Sequence, residues 1–201
     1  MGTNIEIKLK GYTPEQLEKL GNTIVYLADA IRPLYKTKLL KLIYLIDELS
    51  IARNAVPFLG LEYKVWQAGP VNSDLYEELN QPYLLDSYIE LEQDDKGVQV
   101  IGKRKFSDDE FSEMEINLLK EIVNRYKNTS SDKLVQITHR KSAPWYIIAS
   151  ENNLLDAFTE KKINTTDISV DLTLLIKNDP QKMAIYNENL EVENFSKFLR
   201  K

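Results

Sequence analysis

The apolar residues in the first quarter of the chain recur at the spacing of α-helices. Residues 17–31 carry apolar side chains every three or four positions, behind a capping box at 13–16 with Pro14 at the first helical position. This pattern predicts an amphipathic helix that ends near Pro33. Residues 35–53 follow the same spacing but are apolar on most sides, so they predict a buried central helix.

Beyond residue 60 the pattern changes to alternation of apolar and polar positions. Residues 61–67 alternate in this way, which predicts a half-buried strand that ends at the Gly69–Pro70 turn. Residues 88–93 and 98–103 alternate as well, and the Asp and Gly of the intervening 94–97 suit the turn of a β-hairpin. The chain therefore predicts a small antiparallel sheet.

A long helix is predicted between residue 107 and about residue 127. It starts with a capping box at 107–110 and places Phe111 and Met114 among its inward-facing apolar residues. The acidic residues at 108–110 would then lie at the helix N-terminus, where the macrodipole favours carboxylates. We therefore interpret this acidic cluster as a helix start and not as a metal site.

Other capping residues predict shorter helices. The last of them ends with apolar side chains at Phe195, Phe198 and Leu199, which either dock on the domain or reach into a partner. The first is capped by Asn72 or Ser73 and runs through Leu79, and the second is capped by Ser131 or Asp132 and stops before Pro144. The third covers 143–150, and the last begins at Asp179 and Pro180.

Together these elements predict an α+β fold that is predominantly α-helical. It is a helical domain with a small antiparallel β-sheet or hairpin on one side, and the second helix lies at its centre. A length of 201 residues favours one compact unit with additions over two equal domains.

The composition limits the compartment, the kinds of site and the partners that we expect for this protein. The chain has no cysteine, which excludes disulfides, thiolate metal sites and cysteine nucleophiles and favours a reducing cytoplasm. Residues 1–10 include three charged side chains and lack the apolar stretch of a signal peptide. No run approaches the ~20 apolar residues of a membrane span. The net charge of −5 gives no general attraction to phosphate backbones, so we expect neither a membrane nor a nucleic-acid partner.

The chain offers no group of residues competent for catalysis. His139 is the only histidine, and its neighbours Arg140 and Lys141 are positive, so it lacks the partners that a metal ligand or a general base needs. There is no nucleophile elbow and no phosphate-binding glycine loop. We therefore expect a protein that is not an enzyme and that uses no cofactor and no metal.

Several motifs follow one another in a fixed order. The apolar helix at 38–47 precedes the segment 65–71, then Tyr76, then a Thr-His pair at 138–139 and a Pro-Trp pair at 144–145. This combination resembles the Panacea domain, also met in SocA-like antitoxins, over roughly residues 35–148. The residues that carry the resemblance are Asp47, Trp66, Gly69, Pro70, Val71, Tyr76, His139, Pro144 and Trp145.

The resemblance implies a division of the chain and a function. Residues 1–150 would form a Panacea-like antitoxin domain with its core at about 35–148, and residues 151–201 a C-terminal helical extension. The family's role is non-catalytic: a member neutralises a cognate toxin by direct protein–protein binding. One alternative is a proteolysis adaptor that delivers the toxin to a protease. Another is a DNA-binding regulator of its own operon, against which the acidic balance argues.

The large aromatic residues of the motifs allow two interpretations. Trp66, Tyr76 and Trp145 are of the type found in cores when buried and at binding hot spots when partly exposed, and the pattern favours the core. Alternatively, Trp66 and Trp145 line a groove that receives a toxin segment, with Gly69 allowing a partner backbone to come close.

Asp47 and His139 are ambiguous in the sequence. Asp47 is either a surface carboxylate or a buried, paired carboxylate that fixes how its helix meets the Trp66 turn. His139 is interpreted as a hydrogen-bonded structural histidine. If it lies over Trp145 or beside Asp47, it provides a fixed polar contact near the groove.

Overall fold

The computed structural model describes residues 12–199, apart from the side chains of residues 193, 194 and 196–199. The expectations for residues 1–10 and for the side chains of Phe198 and Leu199 therefore lie outside the described residues. The helices are α1 (Pro14–Ala30), α2 (Lys36–Asn54), α3 (Ser73–Glu78), α4 (Glu113–Tyr126), α5 (Ser131–Thr138), α6 (Pro144–Glu151), α7 (Leu154–Thr159) and α8 (Pro180–Leu199). The strands are β1 (Lys64–Trp66), β2 (Gly69–Val71), β3 (Ile89–Asp94) and β4 (Gly97–Gly102), and a short 3-10 helix covers Leu172–Leu175.

The predicted fold class is confirmed: the chain is α+β and predominantly helical. Two separate antiparallel hairpins, β1–β2 and β3–β4, take the place of the one small sheet expected. Helix α2 is buried along most of its length and contacts α4, α5, β2, β4 and the 3-10 helix. No helix among residues 12–199 is long and apolar enough to cross a membrane.

The first two helices form as their sequence patterns predict. The Thr13 hydroxyl accepts a hydrogen bond from the Gln16 amide at 3.2 Å, and the Gln16 side chain accepts one from the Thr13 amide at 3.0 Å. This reciprocal pair satisfies two amides at the start of α1. Gly21 then lets the ring of Tyr88 lie against α1, which docks the β3–β4 hairpin on the helix.

The strand predicted at 61–67 is shorter than expected. Only Lys64–Trp66 forms β1, and the Gly69–Pro70 pair belongs to β2 instead of ending the strand. The two strands pair with Trp66 opposite Gly69. On the other edge of β1 runs the polar segment 164–170, for which we predicted no structure: the Val65 amide donates to the Ile168 carbonyl at 2.8 Å, and the Val170 amide donates to the Tyr63 carbonyl at 2.7 Å.

The predicted starts of two helices are wrong. Helix α4 begins at Glu113 behind a Ser112–Glu115 capping box, so the acidic residues at 108–110 precede the helix instead of opening it. Phe111 lies outside the helix because its ring packs against Phe106 and Phe58, at centroid distances of 5.5 and 5.9 Å. Met114 is exposed and not inward-facing. Helix α5 is capped by Ser130, one residue before the two candidates named above.

Candidate functional site

The motif residues meet where α6 packs on the β1–β2 hairpin. Trp145, in the first turn of α6, is 4% exposed and belongs to the core. Its indole N–H donates to the Trp66 carbonyl at 3.0 Å. The centroid of its ring lies 3.7 Å from the ring centroid of His139 and 6.0 Å from that of Phe158. Trp145 therefore ties α6, α5 and the hairpin together from within.

Trp66 differs from Trp145 because it is only half-buried. Its indole N–H donates to the Thr166 carbonyl at 3.2 Å, so the 164–170 segment holds the ring in place. The ring meets Tyr76 edge to face at a centroid distance of 5.0 Å. The Lys36 ammonium lies 3.5 Å from the Tyr76 ring centroid and donates to the Tyr76 carbonyl. We call Trp66, Tyr76 and Lys36 the aromatic patch.

The aromatic patch is reachable from solvent. Tyr76 is 36% exposed, which is more than any other residue of the motif set. Burial lowers the pKa of Lys36 to about 8, so its ammonium stays largely charged at neutral pH above the Tyr76 ring. An amphipathic ring with a cation on it offers apolar area, a hydroxyl and a positive charge at one place.

The space beside Gly69 is filled by the chain's own side chains. Gly69 has a φ of +101°, and a Cβ atom there would lie 2.8 Å from Thr138 Oγ1 and 3.1 Å from Lys41 Nζ. The Lys41 ammonium donates to the Pro70 carbonyl at 2.9 Å, inside the protein. Burial lowers the pKa of Lys41 to about 7. Gly69 therefore permits a close approach of α2 and α5 to the hairpin. These two helices occupy the place that the sequence suggested for a partner backbone.

Replacing Gly69 with alanine is expected to destabilise the fold by about 3 kcal/mol. The substitution forces a non-glycine residue to a positive φ and crowds Lys41 and Thr138. Gly97→Ala is the matched control, because Gly97 also has a positive φ, of +130°, but no described atom lies within 4 Å of a Cβ atom there. Urea unfolding of both variants measures the difference; equal losses of stability would show that crowding at Gly69 is absent.

Asp47 is fully buried, so the surface alternative is wrong, and it forms no ion pair with residues 12–199, so the buried carboxylate has hydrogen-bond donors instead of a charged partner. Oδ1 accepts from the amides of Phe58, Leu59 and Gly60 at 2.8, 2.7 and 3.3 Å. Oδ2 accepts from the Tyr63 hydroxyl at 2.7 Å and from the Leu61 amide at 3.4 Å. Burial raises the pKa of Asp47, and these donors counteract the rise by stabilising the carboxylate. Asp47 therefore holds the loop that leads into β1, and not the Trp66 turn.

His139 lies over Trp145, the first of the two positions considered for it. Its Nε2 atom is buried and has no hydrogen-bond partner among residues 12–199. Burial, followed by the nearby charge of Lys41, lowers the pKa of His139 to about 4. The imidazole is therefore neutral at physiological pH and packs against the indole with the two ring planes tilted by 37°.

The remaining motif residues are structural. Pro70 and Val71 are buried in β2, and Pro144 is buried at the first position of α6, where its missing N–H costs nothing. The sequence did not single out Tyr63, which donates to Asp47, or Thr166, which accepts from Trp66. Thr138, the first residue of the Thr-His pair, lies beside Gly69. A group of His, Asp and Glu side chains that could hold a metal is not found between residues 12 and 199.

These observations define a helical domain in which most motif residues pack inside, around Trp145, while Tyr76 of the aromatic patch is exposed. Residues 39–146 match the family model described as Antitoxin SocA-like, Panacea domain. Because the match covers more than half of the 201 residues, the chain belongs to this family. The comparison with curated proteins found no match, and neither did the comparison with solved structures.

Proposed function

We propose that this chain is an antitoxin that neutralises a cognate toxin by direct, stoichiometric binding, without catalysing a reaction. Membership of an antitoxin-like family supports this role. The observation that supports direct binding most is the aromatic patch, since its Tyr76 is exposed whereas the other residues of the motif set are buried or half-buried. The proposal places the protein in the cytoplasm together with its toxin.

The patch has the chemistry of a binding hot spot. Tyrosine and tryptophan are enriched in such spots because a rigid ring buries a large area and its polar end still finds a partner. Trp66 is already held by Thr166 and Tyr76 by Lys36, so little side-chain freedom is lost on binding. In this proposal residues 1–150 supply the binding domain, and the 151–201 extension supports it through Thr166.

Tyr76→Ala is expected to weaken toxin binding by about 10-fold to 100-fold and to leave the melting temperature nearly unchanged. The ring is at the surface, so its loss removes contact area without opening a cavity. Tyr83→Ala is the control, since Tyr83 is an exposed tyrosine outside the patch. The measurement is growth rescue and co-purification when each variant is co-expressed with the product of each adjacent gene.

The possible outcomes distinguish a wrong assignment of the interface from a wrong assignment of the function. A Tyr76→Ala protein that binds and rescues like the Tyr83→Ala protein would remove the patch from the interface but leave the antitoxin role intact. Neighbouring gene products that are neither toxic nor bound by the unaltered chain would overturn direct neutralisation and favour a regulator or a proteolysis adaptor.

A further inference from the structure

Helix α8 carries an unusual share of the exposed apolar surface. Of the eight large apolar side chains that are exposed among the described residues, four lie on this one helix: Ile185, Leu190, Val192 and Phe195. Val192 and Phe195 are 65% and 63% exposed. Single exposed apolar residues are ordinary, whereas a cluster on one element is typical of a binding surface.

The helix has two apolar faces with different surroundings. Met183 and Tyr186 pack against the core, and Tyr186 and Leu190 line a groove of about 240 Å³ beside Leu61. The Lys182 ammonium donates to the Ala52 carbonyl at 2.6 Å at the end of α2. The inner face therefore anchors α8 on the domain.

The opposite face is exposed, since Ile185, Val192 and Phe195 are 45%, 65% and 63% exposed. Ile185, Val192 and Phe195 follow one another at intervals of seven and three residues, which places them in one stripe of an α-helix. Glu188 lies within this stripe and Glu191 beside it, and both are exposed. We call Ile185, Glu188, Glu191, Val192 and Phe195 the outer face of α8.

We propose that the outer face of α8 is a second docking surface for the toxin and fits an apolar groove with a basic rim. This inference rests on the function proposed above. The apolar side chains of the outer face can insert into a groove of the toxin. Glu188 and Glu191 favour lysine or arginine at the rim of that groove. The net charge of −5 adds a general attraction to a basic partner.

The same charges disfavour a second copy of the chain as the occupant. Two outer faces packed antiparallel about their midpoints would bring Glu188 and Glu191 of both copies close together. Four carboxylates around one apolar contact repel each other, and each copy also carries the net charge of −5. The negative charge also disfavours an anionic lipid surface.

The test uses the full chain and the toxic neighbour that it neutralises. Val192→Glu combined with Phe195→Glu is expected to weaken binding at least about 100-fold, because two apolar anchors become charged. Glu188→Lys combined with Glu191→Lys keeps the apolar stripe and is expected to slow association about 10-fold at low salt. Met114→Glu, at an exposed apolar residue of α4, is the matched control and should bind like the unaltered chain.

Each outcome decides between the possibilities. Weakened binding of Val192→Glu with Phe195→Glu and slower association of Glu188→Lys with Glu191→Lys, while Met114→Glu binds normally, support the inference. Unchanged binding in both α8 variants overturns it while the neutralising function stands, whereas an unaltered chain that neutralises no neighbour overturns both. A dimer in sedimentation velocity that Val192→Glu with Phe195→Glu dissociates would show that a second copy, and not the toxin, covers this face.

Discussion

Replacing Asp47 with alanine is expected to remove a large part of the protein's free energy of unfolding. The side chain is fully buried and accepts hydrogen bonds from four consecutive backbone amides, those of residues 58–61, and from the Tyr63 hydroxyl. Alanine removes the acceptor from all five donors at once. Leaving buried donors unpaired costs about 1–3 kcal/mol each where water cannot replace the partner.

Water reaches part of this loop, which limits the loss. Gly60 is exposed and Leu61 half-buried, whereas Phe58, Leu59 and Tyr63 are buried. We therefore expect a destabilisation of about 4–5 kcal/mol, in the range of the largest single-residue effects. Natural domains have a free energy of unfolding of about 5–15 kcal/mol, so this loss removes at least about a quarter of it and, for a domain at the lower end, nearly all of it.

Asp47→Asn is the informative control. Its amide oxygen still accepts from the Phe58 and Leu59 amides, and its amide NH2 group faces Tyr63. The Tyr63 hydroxyl lies 3.3 Å from the Ile43 carbonyl, so it can donate there and accept from the new NH2 group. We expect a loss of only about 1–2 kcal/mol. Equilibrium unfolding with Asn as damaging as Ala would show that the negative charge, and not the acceptor geometry, holds the loop.

Trp145→Ala is expected to destabilise the protein by about 4 kcal/mol and to lower the melting temperature by about 10 °C. Truncating a buried tryptophan leaves a large cavity, here between His139 and Phe158, and the Trp66 carbonyl loses its donor. Trp145→Phe keeps a ring against His139 and should lose about 1–2 kcal/mol. Differential scanning calorimetry of the three proteins gives the comparison.

The Trp145 prediction also separates the two interpretations of this residue. A core tryptophan changes stability first, and any loss of toxin binding follows from unfolding. If Trp145→Ala melts like the unaltered protein but no longer binds the toxin, the side chain belongs to the interface, and the groove interpretation would replace the core assignment.

The sequence predicts helices well where one capping signal stands alone. Thr13, Pro14 and Gln16 mark the start of α1 without a competitor, and the structure shows both reciprocal hydrogen bonds. Before α4 two Ser-x-x-Glu boxes follow each other, at 107–110 and 112–115. Packing of the Phe111 ring selects the second one, and this tertiary contact is not encoded in local spacing.

The segment at 164–170 escaped prediction because its structure depends on a distant partner. It has no apolar run, yet its backbone pairs with β1 about a hundred residues earlier in the chain, through the Val65 amide and the Ile168 carbonyl among others. The alternation of Ile168 and Val170 with polar neighbours was the available signal. Two such positions are too few to distinguish a strand from a loop.

The sequence named motif residues but could not say where they lie in the fold. Family resemblance located Asp47, Trp66 and Trp145, but only the fold shows that Asp47 and Trp145 are buried and Trp66 half-exposed. Buried lysines are rare in general, so Lys41 beside Gly69 had no sequence signal. The apolar stripe of α8 was visible in part, since Phe195 was recognised as a residue that either docks or reaches outward.

Direct neutralisation is tested most directly by titrating the purified chain into its purified toxic neighbour while binding and toxin activity are followed together. We expect a saturable complex of fixed stoichiometry by light scattering, with toxin activity falling in proportion to the fraction bound. Toxin that remains fully active in the presence of excess folded chain, with no complex in light scattering, would contradict neutralisation by direct binding.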